Sequence, residues 1–109
     1  MDQTLSKIRQ LRPEGQEAVA YLIDALREAG WPAVVVEARR GIERQRALVG
    51  AGASKTLRSK HLLGRAVDIG FAGIRTAEIP SWVWTSAHDL WDRLGGGKRI
   101  LWDMNHFEW

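Results

Sequence analysis

A chain of 109 residues with 45% hydrophobic and 27% charged residues is ordinary material for one folded domain, and residues 1–109 are expected to form a single unit with no room for a second module. Cysteine is absent, which excludes disulfides, thiol catalysis and thiolate ligands, so any metal must be held by His and carboxylate. The start, Met1-Asp-Gln-Thr-Leu-Ser-Lys7, lacks an apolar h-region and there is no 18-residue apolar run, so neither a secretory signal nor a membrane span is expected, and the expected place of synthesis and storage is the cytoplasm. A net charge of +3 with a pI near 9.8 favours a polyanionic partner; nucleic acid and an anionic cell wall both qualify.

Taken in chain order, Ala18, Leu22, Ala25, Leu26 and Ala29 recur at helical spacing. Pro13 suits the first turn and Gly30 the stop, which predicts an amphipathic helix from about Pro13 to Ala29. Ala33-Val-Val-Val-Glu37 is a β-branched run and predicts a buried strand; Glu43–Val49 predicts a short helix before the Gly50-Ala-Gly52 loop. Ala66-Val-Asp-Ile69 alternates as a half-buried strand does, after a tight turn at Gly64. Trp84, Ala87, Leu90, Trp91 and Leu94 mark a second long helix ending at Gly95-Gly96-Gly97, which has no GxxxxGK[ST] pattern and sits at a helix end, so it is not a phosphate loop. Arg99-Ile-Leu-Trp102 reads as a strand feeding Asp103–Glu108. Helices and strands mix without regular βαβ alternation, so the fold class is α+β, a small and mostly antiparallel sheet with flanking helices.

The chemistry concentrates in two places, Ser59-Lys-His61-Leu-Leu-Gly64-Arg-Ala66-Val-Asp68 and Asp103-Met-Asn-His106-Phe107-Glu108. Two His and one Asp make a three-ligand zinc set that leaves a fourth position to water or substrate, so His61, Asp68 and His106 are the candidate ligands of one Zn²⁺ per chain. Asp103 is then the candidate base, with Glu108 as the alternative. Residues two apart on a strand share a face, so His106 and Glu108 are expected on one side; the three-residue step from Asp103 to His106 needs a bend. His88 has no partner motif and is expected to be structural. Most of the six tryptophans are expected in the core, with Trp102 and Trp109, which flank the site segment, as the cleft candidates.

These residues resemble the zinc peptidases of the hedgehog/DD-peptidase fold, which include D-alanyl-D-alanine peptidases and phage L-alanyl-D-glutamate endolysins. The SxHxxGxAxD signature stands complete as Ser59, His61, Gly64, Ala66 and Asp68, and the later acid-x-x-His as Asp103 and His106. Glu37-Ala-Arg-Arg40-Gly-Ile-Glu-Arg-Gln45 is similar to the family's EGxR…Q segment, with Ala38 where a glycine is common, and Gly52-Ala-Ser54-Lys55 is similar to its GxSK loop. The resemblance covers nearly the whole chain; the short span between Asp68 and Asp103 implies a trimmed substrate cleft.

The resemblance implies hydrolysis of an amide bond in the peptidoglycan stem peptide, at L-Ala–D-Glu or, as the alternative, at a D-Ala-terminated end. It implies Asp103 as general base and an arginine, Arg40 by its spacing to Gln45 or else Arg39, meeting the charge on the carbonyl oxygen. Ser59, Gln45, Glu108 and Trp102 are expected to orient substrate or support the ligands. The basic run Arg39, Arg40, Arg44, Arg46, Lys55, Arg58, Lys60 and Arg65 is expected to steer carboxylate-bearing peptides. A monomer that reaches the wall after release from the cell, of phage or prophage origin, fits the small size. The rival classes are a nucleic-acid-binding domain, which lacks any zinc-finger, RRM or KH pattern, and a non-catalytic wall-binding module, against which the intact acid at Asp103 argues.

Overall fold

Glu37, Asp68 and His106 stand on one three-stranded antiparallel sheet, ordered β1-β2-β3, seen in a computed structural model that describes residues 2–52 and 59–109. Ser54, Lys55 and Arg58 of the expected loop and basic run lie outside the described residues. The elements in order are α1 (Thr4–Ile8), α2 (Pro13–Glu28), β1 (Ala33–Glu37), α3 (Ile42–Gly50), a 3₁₀ turn at Lys60–Leu63, β2 (Ala66–Phe71), a second 3₁₀ turn at Thr76–Glu78, α4 (Ser81–Arg93) and β3 (His106–Glu108). None of the helices among the described residues is long and apolar enough to cross a membrane.

The helix α2 begins with Pro13 in its first turn and ends at Gly30, whose φ of 93° lets the Gly30 and Trp31 N–H groups reach back to the Arg27 and Leu26 carbonyls. Its buried face is Gly15, Val19, Leu22, Ile23 and Leu26 rather than the alanine stripe, because the larger branched side chains remove more apolar surface from water; Ala29 is exposed. The face of α4 built from Val83, Trp84, Ala87, His88 and Trp91 meets α2 across the core. On the sheet, Val67, Ile69 and Phe71 of β2, Ala33 and Val35 of β1 and Phe107 of β3 point into that core. Asp68 and Gly70 therefore point to the other face.

Two expectations are corrected. Arg99–Trp102 is not a strand: Leu101 and Trp102 sit in a turn. The ladder on this edge of β2 runs only from Ala66 to Asp68 opposite His106–Glu108, and the turn closed by the His106 N–H on the Asp103 carbonyl takes the preceding residues off it. They are fastened instead by Arg99, whose Nη2 bonds Asp89 at 3.0 Å and Asp92 at 2.6 Å on α4. Trp109 is not a cleft residue. Its indole lies over Gly15, where a Cβ would come within 2.0 Å of the ring, and its ring centroid is 6.0 Å from that of Trp91. Position 109 follows Phe107 by two, so the same alternation that buries Phe107 turns Trp109 inward.

Candidate metal centre

Asp68 lies on the central strand, and the ladder sets His106 of β3 directly opposite it. On the other side β1 carries a bulge between Val35 and Glu37, so Glu37, not Val36, pairs with Asp68. Strict alternation from Val35 would turn Glu37 into the core; the extra residue re-aims it to the face of Asp68. His61 arrives from the 3₁₀ turn, which Ser59 caps by accepting the His61 N–H at 3.2 Å and which ends at Gly64 in the left-handed region (φ 68°). A side chain at position 64 would also meet the Gln10 carbonyl at 3.3 Å, so the turn into β2 is built for glycine.

These elements bring one ligand atom each from His61, Asp68 and His106 within 4.8 Å of one another. Asp68 Oδ1 stands 3.2 Å from His61 Nε2 and 3.1 Å from His106 Nδ1. The outer nitrogens fix the tautomers. His61 Nδ1–H donates to the Ala38 carbonyl at 2.7 Å, and His106 Nε2–H donates to Glu108 Oε1 at 2.8 Å, both acceptors only. A neutral imidazole then turns its lone pair inward on each side, so two lone pairs and a carboxylate oxygen face one another. That arrangement is repulsive without a cation, and the donor set, two imidazoles and a carboxylate, is the one Zn²⁺ accepts.

Protons can take the cation's role. Burial works to raise Asp68, but hydrogen bonds from His106 and His61 and their charge outweigh it and hold the carboxyl well below the usual range. Burial works to lower His106, yet the bonds to Asp68 and Glu108 leave it raised. Asp103 is half-buried; burial first and the Asp68 charge second raise its carboxyl, against the opposing pull of His106, His61 and Arg40. The bend expected between it and the ligand is a turn closed by the His106 N–H on the Asp103 carbonyl at 3.0 Å.

Arg40 and not Arg39 enters the site. Arg40 is buried, while Arg39 is exposed. The Arg40 guanidinium donates to both Glu37 oxygens at 3.0 and 2.8 Å and to Gln45 Oε1 at 2.6 Å, with Nη2 3.7 Å from Asp68 Oδ2. The largest influence on Glu37 is that hydrogen bonding, which holds its carboxyl below the ordinary range against burial. Glu37 had no role in the sequence reading beyond its place in a motif; the bulge that delivers it leaves no mark in residue pattern. Arg44 also leans on Glu37 at 3.4 Å, and Lys60 on Glu108 at 3.7 Å, so both are partly spent on the site's own carboxylates. Trp102 is largely exposed, next to Asp103 in sequence.

A three-stranded sheet presenting a His-Asp-His cluster beside a buried arginine defines a metallopeptidase-type domain of the hedgehog/DD-peptidase fold. The structure is similar over 97% of the chain to the Serratia marcescens L-Ala D-Glu endopeptidase ChiX, covering 85% of that protein at 30% identity and a TM-score of 0.71. The chain belongs to the peptidoglycan peptidase family of that endopeptidase. Two more distant structures share the fold: the vancomycin resistance D,D-pentapeptidase VanY from a VanB-type cassette, solved with Zn(II) (20% identity, 91% of this chain and 72% of that one, TM-score 0.71), and the LD-carboxypeptidase LdcB (19%, 91% and 58%, TM-score 0.64). In sequence, 75 residues are 33% identical to the L-alanyl-D-glutamate peptidase of Listeria phage A118; that is 69% of this chain but only 27% of the relative, so the chain spans about a quarter of its length. No protein-family model matches.

Proposed function

We propose that residues 1–109 are a single zinc peptidase domain that hydrolyses the L-Ala–D-Glu bond of the peptidoglycan stem peptide. The observation that carries this is the convergence of the His61 Nε2 and His106 Nδ1 lone pairs on Asp68, in a chain whose relative over nearly its full length is an L-Ala D-Glu endopeptidase. His61, Asp68 and His106 would hold one Zn²⁺, which when bound supplies a Lewis acid that polarises a carbonyl and lowers the pKa of water towards 7.

The chain's own groups do the remaining work. Asp103 takes the proton of the attacking water at its carboxylate and returns it to the leaving amine; its raised pKa narrows the gap to both partners. Among the described residues, Glu37 and Gln45 occupy three of the five guanidinium N–H groups of Arg40, which fixes the plane and leaves donors for the developing oxyanion. Glu108 orients His106, Ser59 holds the turn of His61, and Gln45 steadies Arg40. Trp102, exposed and next to Asp103 in the chain, would line the substrate path.

The domain acts as a monomer on the wall after release by lysis; the relative from a Listeria phage supports a phage-type role. The test is incubation with purified peptidoglycan, with and without chelator, and mass analysis of the fragments. New L-Ala C-termini and D-Glu N-termini that disappear with chelator and return with zinc are expected. Release of D-Ala alone would move the activity to the carboxypeptidase branch, and no release under any metal condition would leave a binding module.

A further inference from the structure

His88, on α4 and far in sequence from both motifs, is completely buried, its ring stacked on Phe107 with centroids 4.1 Å apart and 13° between planes. Its Nε2–H donates to the Met104 carbonyl at 2.7 Å. Met104 is the first central residue of the turn that joins Asp103 to His106, and the next carbonyl, Asn105, accepts the Ile69 N–H of β2 at 2.9 Å. One central peptide is thus pinned to the helix and the other to the sheet. His106 is additionally held by its ladder with Asp68. Asp103 has no such ladder, so its aim depends on the turn.

Packing alone does not account for a histidine here. Its Nδ1 is buried with no hydrogen-bond partner among the described residues, a cost that a phenylalanine or leucine of similar volume avoids. What the imidazole has and those lack is the donor to Met104. We infer that His88 is a positioning residue for the hydrolysis proposed above: by holding the Met104 carbonyl it sets the turn that aims the Asp103 carboxylate at the metal cluster.

The decisive pair is His88→Phe, which keeps the stack and removes the donor, and His88→Gln, whose Nε2 also stands three bonds from Cβ and restores it. Asp103 displaced by a fraction of an ångström to an ångström predicts a fall in kcat on the order of 10-fold to 10²-fold in His88→Phe, with KM and zinc affinity close to wild type because the ladder holds His106. His88→Gln should recover most of it. In the metal-free protein, amide exchange at His106, whose N–H closes the turn, should quicken in His88→Phe and stay slow in His88→Gln. The inference is overturned if His88→Phe keeps wild-type kcat and exchange, or if His88→Gln is as impaired as His88→Phe, which is the result a pure packing role gives. Because the exchange measurement needs neither zinc nor turnover, it decides the role of His88 even if wild-type protein releases nothing from peptidoglycan, the outcome that sinks the proposed function instead. If His88→Phe does not fold, quickened His106 exchange in His88→Gln alone overturns it.

Discussion

Arg40 is the residue on which the site's geometry makes its sharpest demand. Its guanidinium closes a fork onto Glu37 and a third bond onto Gln45, and Gln45 is fully buried. Arg40→Ala strands these partners. Removing one member of a buried ion pair costs about 3–5 kcal/mol, and since the Glu37 side chain keeps 21% exposure, water relieves part of this, so the lower end, about 3 kcal/mol, is expected. For a domain of 109 residues that is a fall of roughly 12 °C in Tm. Catalysis should lose on the order of 10² to 10³ in kcat with little change in KM, because an oxyanion donor acts mainly in the transition state. Arg39→Ala, at an exposed side chain, should move stability by no more than about 0.5 kcal/mol and leave kcat unchanged.

Calorimetry and steady-state kinetics on a soluble stem peptide, the latter well below the lower Tm, separate the two effects. pH gives a further check. Glu37 is held below its ordinary value of 4.5, so its pairing stabilises the fold above that value and the contribution is lost as pH falls through the folded pKa. The Tm gap between wild type and Arg40→Ala should therefore narrow below pH 4.5. A gap of a degree or two, or one indifferent to acid, would falsify the energetic argument; a kcat loss in Arg39→Ala matching that in Arg40→Ala would remove Arg40 from the chemistry.

Asp103→Asn should keep zinc and lose on the order of 10² to 10⁴ in kcat, the range for a missing general base; in wild type, the acid limb of kcat/KM should rise at a pH above the ordinary carboxylate range, since the base must be ionised and its pKa is raised. Glu108→Gln tests the alternative base: retained turnover with zinc bound 10- to 100-fold more weakly, read by competition with a fluorescent chelator, is the outcome for a residue that only orients His106, whereas abolished turnover at full zinc loading assigns it the proton transfer. The chelated protein should melt lower as pH rises from 6.5 through the raised His106 value, because that histidine's bonds to Asp68 and Glu108 stabilise the protonated form, and added zinc should erase the decline; a flat profile without metal rules out the coupling.

How much of this was legible in residue order depends on the range of the interaction. The helix from Pro13, the strand from Ala33, the tight turn at Gly64 and the helix that buries Trp84 and Trp91 are local patterns, and local patterns are written in the sequence. The ligand candidates are read from order too, because His61 and Asp68 stand on either side of a glycine turn and His106 and Glu108 alternate on one strand, and the fold brings His61, Asp68 and His106 together. The bulge was not legible, since it depends on how β1 registers against a strand 30 residues away; with it went Glu37, which period-two reading points inward. The same limit misassigned Arg99–Trp102, whose strand-like composition gives no sign of the Asp103–His106 turn that takes them off the ladder of β2.

His88 shows the limit from the other side. Read along the chain it is one polar residue on the apolar face of a helix, and a structural role was the right expectation as far as burial goes. What the helix pattern could not carry is that the ring's partners, Met104 and Phe107, lie on either side of a metal-ligand candidate 18 residues later. A helix packed against the back of the sheet thereby reaches the site on its front through a single strand. The candidate ligands Asp68 and His106 are set by the ladder, Arg40 by Glu37 and the bulge, and the proposed base Asp103 by the turn that His88 is inferred to hold. Each depends on a different part of the fold, so substitutions at Glu37, Glu108 and His88 should separate oxyanion stabilisation, metal affinity and proton transfer in one small domain.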